Sequence, residues 1–175
     1  WLIAQKITYV SFSGSLLRAW LASIPDDLRF PELRFVRATG ERLYAQDVIS
    51  LSRHLDGDWR VGHSYSSGEA GTIAAQVFTA SCPPEPGIVA VGHPVDGVEV
   101  FIEDESGRLV PAGEIGEIVV RSRYLAQGYW NNPDLTGLTA EVMLGDQWHQ
   151  FESPKAVRIP PRPRMGMPAF LATSL

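Results

Sequence analysis

Trp59-Arg-Val-Gly-His-Ser-Tyr65 runs without a break into Ser66-Ser-Gly-Glu69. The first seven residues have the aromatic and β-branched character of a strand, and the next four form a polar loop. Upstream, Leu33-Arg-Phe-Val-Arg-Ala38 reads as a second strand that delivers Thr39-Gly40-Glu41 to its carboxyl end. Ile7-Thr-Tyr-Val-Ser11 reads as a first strand. Two helical stretches lie between them. Ser13 or Ser15 caps the first, with Leu16, Leu17, Trp20 and Leu21 on one face and Pro25 ending it. Val48, Leu51 and Leu55 mark the apolar stripe of the second. Strand, helix, strand, helix, strand is the pattern of an open α/β sheet, in which ligands bind beyond the carboxyl ends of the strands. Both loops, 39–41 and 66–69, are therefore expected at one site.

Pro83-Pro-Glu-Pro-Gly87 breaks this pattern and marks a linker. Beyond it the periods are strand-like. Val98-Glu-Val-Phe-Ile-Glu103 alternates, Asp104-Glu-Ser-Gly107 is a hairpin turn, and Arg108-Leu-Val110 returns. Pro111-Ala-Gly113 turns again before the long strand Gly116-Glu-Ile-Val-Val-Arg-Ser122. Asp134 is placed to cap a short helix running through Thr139, Ala140 and Glu141. From Phe151 to Leu175 the chain holds five prolines, four Lys or Arg residues and one acid, Glu152, with no traceable period. That composition predicts an extended, poorly ordered tail.

A net charge of −5 and the lack of a basic stripe argue against nucleic acid as a partner. Cys82 is the single cysteine, which rules out an intrachain disulfide and a clustered-thiolate metal site. No apolar run reaches the length of a membrane span, and no signal-peptide pattern opens the chain. A cytoplasmic location fits these features.

Two motifs in register resemble the adenylate-forming superfamily. They are His63-Ser-Tyr-Ser-Ser-Gly-Glu69, and Gly113-Glu-Ile-Gly-Glu-Ile-Val-Val-Arg121 running on to Gly128-Tyr-Trp-Asn-Asn-Pro-Asp-Leu-Thr136. The superfamily includes acyl-CoA synthetases, fatty-acyl-AMP ligases and nonribosomal peptide synthetase adenylation domains, and the resemblance covers roughly residues 7–140. It implies an α/β fold: a partial open α/β sheet subdomain over 1–87, then a small antiparallel β-barrel subdomain over 88–130. A lead-out segment, 131–150, and the disordered C-terminal tail, 151–175, would follow. It also implies ATP or AMP and magnesium as cofactors, a carboxylate substrate, and CoA, a carrier-protein thiol or an amine as acceptor.

The resemblance assigns roles residue by residue. The family motif usually reads Asn-x-Tyr-Gly-Pro-Thr-Glu, so His63 takes the Asn place, Ser64 the variable place, and Tyr65 the aromatic place that packs on adenine. Ser66 and Ser67 replace Gly-Pro, Gly68 stands where threonine belongs, and Glu69 takes the metal-binding carboxylate. Thr39-Gly40-Glu41 resembles the Gly-Gly-Glu turn beneath the adenine, with Ala38 and Thr39 as pocket wall. Attack of a carboxylate on the α-phosphorus brings two anions together, and a magnesium ion on one carboxylate spreads that charge. Gly68 cannot supply the threonine hydroxyl, a loss worth roughly 1.5–3 kcal/mol for a bond to a charged group.

Other residues read as structural. Gly92-His-Pro-Val-Asp-Gly97 and the 113–117 segment serve turns, and Tyr129-Trp130 is expected to pack at the barrel edge. His54 and His149 suit surface or capping roles, and Cys82 has no base in sequence reach. Lys155 only faintly resembles the family's C-terminal lysine. Three elements of the family pattern have no match: the upstream phosphate loop with its lysine, a Thr-Gly-Asp after Trp148, and the lysine-bearing small domain. No catalytic residue is assigned. The expectation is a fragment of an adenylate-forming ligase, inactive alone, whose partners include the missing segments of its parent; the change near residue 151 suggests a frameshift or a broken gene. The alternative is a degenerate, noncatalytic module retained for protein interaction.

Overall fold

The computed structural model describes residues 1–104, 106–111, 113–141 and 155–159, with 137–141 and 155–159 as backbone only. The chain divides into two compact units, Trp1–Tyr65 with Ala75–Gly92, and Ser66–Ala74 with His93–Leu175.

The first unit carries the expected α/β frame. Strands β1 (Tyr9–Phe12), β2 (Phe35–Thr39) and β3 (Arg60–Ser67) are parallel, with α1 (Gly14–Ser23) and α2 (Ala45–Ser52) as the crossovers. β2 and β3 pair from Phe35↔Arg60 to Thr39↔Ser64. Leu17, Val36, Leu43, Val48, Leu51 and Val61 are buried together between helices and sheet. The apolar face of α1 is narrower than its sequence suggests. Leu17 is buried, but Leu16 is 55% exposed, while Trp20 packs between Phe12 and Phe30 at centroid distances of 5.0 and 5.1 Å.

Polar groups fix both helix starts. Ser13 Oγ accepts from the Leu16 amide at 3.4 Å, a helix N-cap. In α2, Asp47 accepts from the Tyr44 amide at 3.0 Å and also takes Arg18 Nη1 of α1 at 3.0 Å. Asp47 is buried, so the ion pair ties the two crossovers where a lone carboxylate would be costly. His54 is buried as well, not at the surface: its Nδ1 lies 2.9 Å from the Leu28 carbonyl.

Strand β4 (Gly71–Phe78) follows β3, and β5 (His93–Pro94) completes a sheet of order β1-β2-β3-β4-β5. The sequence pattern gives no sign of a strand at 71–78. Ala74 and Ala75 interrupt its apolar alternation, and only Ile73, Ala74 and Phe78 are buried along it.

In the second unit, β6 (Val98–Glu103) and β7 (Glu117–Ser122) pair antiparallel from Val98↔Ser122 to Glu103↔Glu117. The turn expected at 104–107 is present. Asp104 Oδ1 accepts from the amides of Ser106 and Arg108 at 2.8 and 3.0 Å, an Asx-type turn. Helix α3 (Pro133–Thr139) leads to β8 (Ala140–Glu141). The cap is Asn132, whose Oδ1 accepts from the Leu135 amide at 3.1 Å; Asp134 sits in the first turn instead.

Lys155–Ile159 forms β9, antiparallel to β7 and to β8, giving a sheet of order β6-β7-β9-β8. β-Branched Val157 and Ile159 suit a strand, and β7 offers an edge to pair with. Among the described residues this sheet is open and not a closed barrel. His149 and the rest of 151–175 lie outside the described residues.

Candidate functional site

Ala38 stands opposite His63 and Thr39 opposite Ser64 at the carboxyl ends of β2 and β3. Thr39 Oγ1 donates to the Ser64 carbonyl at 3.2 Å, and Arg37 Nε donates to Ser64 Oγ at 2.9 Å. His63 is 3% exposed. Its Nδ1 lies 3.1 Å from the Ala90 carbonyl and its Nε2 3.3 Å from the Glu41 carbonyl. The imidazole thus fastens the 39–41 turn to the segment before Gly92. Gly40 takes a φ of +78°, which favours glycine, and nothing lies within 4 Å of where its Cβ would be. Tyr65 is half-buried.

Glu41 has a task that its motif did not announce. Its carboxylate accepts from the Ser15 amide at 2.6 Å and from Ser15 Oγ at 2.9 Å. The Ser15 amide, and next its hydroxyl, hold the Glu41 carboxyl below the ordinary glutamate value of 4.5. The acid sits at the start of α1, where unpaired amides and the helix dipole favour negative charge.

In the second unit, Gly68, Glu69 and Ala70 form the turn from β3 into β4. Ser67 Oγ accepts from the Ala70 amide at 3.1 Å, closing it. Gly68 is exposed, its backbone is outside the left-handed region, and no atom lies within 4 Å of its Cβ position. Glu69 is half-buried and accepts a hydrogen bond at Oε1 from the Tyr129 hydroxyl.

The model of the family described as AMP-binding enzyme matches residues 2–130. The chain belongs to that family. Tyrocidine synthase 2 of Brevibacillus parabrevis is 30% identical over 134 residues, which are 76% of this chain and 4% of the synthase. Zwittermicin A synthase ZmaJ of Bacillus cereus is 30% identical over 141 residues, 76% of this chain and 26% of that synthase. Among solved structures, PA1221, a nonribosomal peptide synthetase protein containing adenylation and PCP domains, superposes with a TM-score of 0.69 at 23% identity. The overlap covers 90% of this chain and 27% of PA1221, a likeness of fold. The chain therefore spans a small part of the relatives it matches.

For an AMP-binding family member, the donor set can be tested against magnesium. Among the described residues no three His, Cys, Asp or Glu side chains cluster to hold a metal ion. A single protein carboxylate, such as that of Glu69, suits magnesium that arrives on nucleotide phosphates, since that ion commonly keeps one or two protein carboxylates and fills its other positions with phosphate oxygen and water. No described helix is long and apolar enough to cross a membrane.

Tyr129 is the residue that sequence reasoning misjudged. Tyr129-Trp130 was expected to pack at a barrel edge, yet Trp130 is 98% exposed and Tyr129 bonds to Glu69. Sixty residues separate the pair, so no local period could reveal it; the only signal was that both lie in family motifs.

Proposed function

We propose that the chain is the part of an adenylate-forming ligase that receives the adenine and the magnesium of ATP. Its parent joins a carboxylic or amino acid to AMP and passes the acyl group to a carrier-protein thiol or to CoA. The observation that carries this reading is the register of β2 and β3, which sets Ala38 and Thr39 beside His63 and Ser64 at the carboxyl ends of parallel strands, where α/β sheets bind ligands. On this reading Tyr65 stacks on adenine, Ala38 and Thr39 border the acyl group, and Gly40 lets backbone approach the flat base. His63 and Glu41 shape the turn from behind, through the Glu41 carbonyl and the Ser15 contacts. Glu69 holds magnesium, which when bound offsets the charge of the phosphates. The Ser66 to Gly68 amides and hydroxyls are the local donors to phosphate oxygen.

The adenylation and PCP domains named for PA1221, and the peptide synthetase relatives, favour a carrier thiol as acceptor.

Calorimetric titration of the chain with ATP and with AMP, with and without magnesium, tests this. Magnesium-dependent ATP binding that Glu69→Gln removes, with AMP binding left in place, is the expected result. Gly68→Thr should strengthen ATP binding, because the space at residue 68 is open and a hydroxyl is restored. A stably folded chain with no affinity for either nucleotide at millimolar concentration would favour the noncatalytic module.

A further inference from the structure

The 126–136 segment grips residue 69 twice. The Ala126 amide donates to the Glu69 carbonyl at 2.7 Å, and the Tyr129 hydroxyl donates to Glu69 Oε1. Local bonds enforce the shape of this segment. Thr136 Oγ1 accepts from the Tyr129 amide at 2.9 Å and donates to the Asn132 carbonyl at 2.9 Å. The Asn132 amide donates to the Tyr129 carbonyl at 3.2 Å. Gly128 has a φ of +150°, and a Cβ there would meet Thr136 Cγ2 at 2.6 Å. Glycine at 128 thus lets the threonine close over the turn that presents Tyr129.

We infer that Tyr129 is a positioning residue for Glu69: its hydroxyl holds the carboxylate in one orientation for a magnesium ion carried by nucleotide phosphates, and Thr136 holds Tyr129. This rests on the reading of Glu69 as the metal carboxylate. A free glutamate side chain must give up rotamer entropy to ligate an ion, and a preformed hydrogen bond removes part of that cost. A phenol donating to an ionised carboxylate makes a charge-assisted bond. The carboxylate presents about four lone-pair sites, so accepting from one hydroxyl is compatible with ligation. The motif that identifies the family thereby gains a mechanical role.

Mn2+ serves as the probe, with Mn2+–ATP binding to the 175-residue chain read by water-proton relaxation. Glu69→Gln should abolish the enhancement. Tyr129→Phe, which keeps the ring and removes only the hydroxyl, should weaken affinity about 10-fold, the scale for losing an outer-shell partner. Thr136→Val should weaken it in the same direction, with the far-ultraviolet circular dichroism of both variants unchanged. If Tyr129→Phe binds Mn2+–ATP as tightly as the unsubstituted chain while Glu69→Gln does not, the positioning role is wrong and the metal role of Glu69 stands. If Glu69→Gln binds like the unsubstituted chain, or neither binds, the metal role falls and takes the positioning role with it. A double-mutant cycle of Tyr129→Phe and Glu69→Gln on urea unfolding reads the contact without metal: non-additive losses support it, and additive losses overturn it.

Discussion

In the α/β unit, Ala38 and His63 stand at the rim of a core that includes Val36, Leu43, Val48, Leu51 and Val61, all buried. In the antiparallel unit, Glu69 and Tyr129 stand in turns closed by Ser67, Asn132 and Thr136. Its buried apolar side chains among the described residues are Ala70, Ile73, Ala74, Val98, Val119 and Val120, while Leu109, Ile115, Tyr124 and Trp130 are exposed. The first unit sets the hydrogen bonds of Thr39, His63 and Ser64 against a packed core, whereas the turns of the second rest on donors and acceptors. A packed core resists loss of volume, because neighbours collapse only partly into a cavity. A hydrogen-bonded turn is indifferent to volume and sensitive to a single missing partner. The two units should therefore fail under different substitutions.

Leu51→Ala is the hardest blow to the first kind of support. Leu51 is fully buried on α2, and the loss should be about 2–5 kcal/mol by urea unfolding. Hydrogen exchange should show α2, β2 and β3 losing protection while the β6–β7 amides keep theirs. Equal loss in both sets would mean that the units do not unfold separately, and the contrast between them would fail. Gly92→Ala attacks the same unit through the backbone. Gly92 has a φ of +85°, and a Cβ there would lie 2.3 Å from the Ala75 carbonyl oxygen. Backbone must move, at a cost of about 1–3 kcal/mol. His63 contacts Ala90 close by, so the His63 ring resonances should shift in that variant, and unchanged shifts would count against the fastening role given to this histidine.

Thr136→Val tests the second kind of support. The substitution keeps the shape and removes an oxygen that serves two backbone groups. An expected loss of about 1–2 kcal/mol, with Tyr129 and Asn132 amides exchanging faster, would confirm that this turn stands on hydrogen bonds. A stability equal to that of the unsubstituted chain would show that packing holds it instead.

The same division decided what was legible in the sequence. Periodicity reports burial, so β1-α1-β2-α2-β3 and the 98–122 hairpin could be read from Val36, Val48, Leu51 and the alternation of 98–103. It failed where burial is uneven. Leu16 fits the α1 stripe but faces solvent, and Ala74-Ala75 hides β4. Family motifs pointed to 39–41 and 63–69, yet not to what those side chains touch. The partners of Glu41 and Glu69 are Ser15 and Tyr129, 26 and 60 residues away, and a hydrogen bond between distant segments leaves no periodic trace. Lys155–Ile159 was hidden by the prolines around it, although Val157 and Ile159 suit the strand it forms.

Glu41 offers the mildest test, on one of the polar contacts that the α/β unit adds to its core. The Ser15 amide and hydroxyl depress its carboxyl in the folded chain. A carboxyl lowered by folding stabilises the fold at pH values above its unfolded value, near 4.5, and that contribution is lost as the pH falls through the lowered folded value. The side chain is only half-buried, so solvent screening keeps the effect to about 0.5–1 kcal/mol. Glu41→Gln should therefore be slightly less stable than the unsubstituted chain at pH 7. The gap should close as the pH is taken down from 4.5, because protonation removes from the glutamate what the substitution has already removed. Thermal melts of both proteins between pH 7 and pH 3 measure this directly. A gap that stays constant across that range would mean that shape at the start of α1, not charge, is what Glu41 contributes.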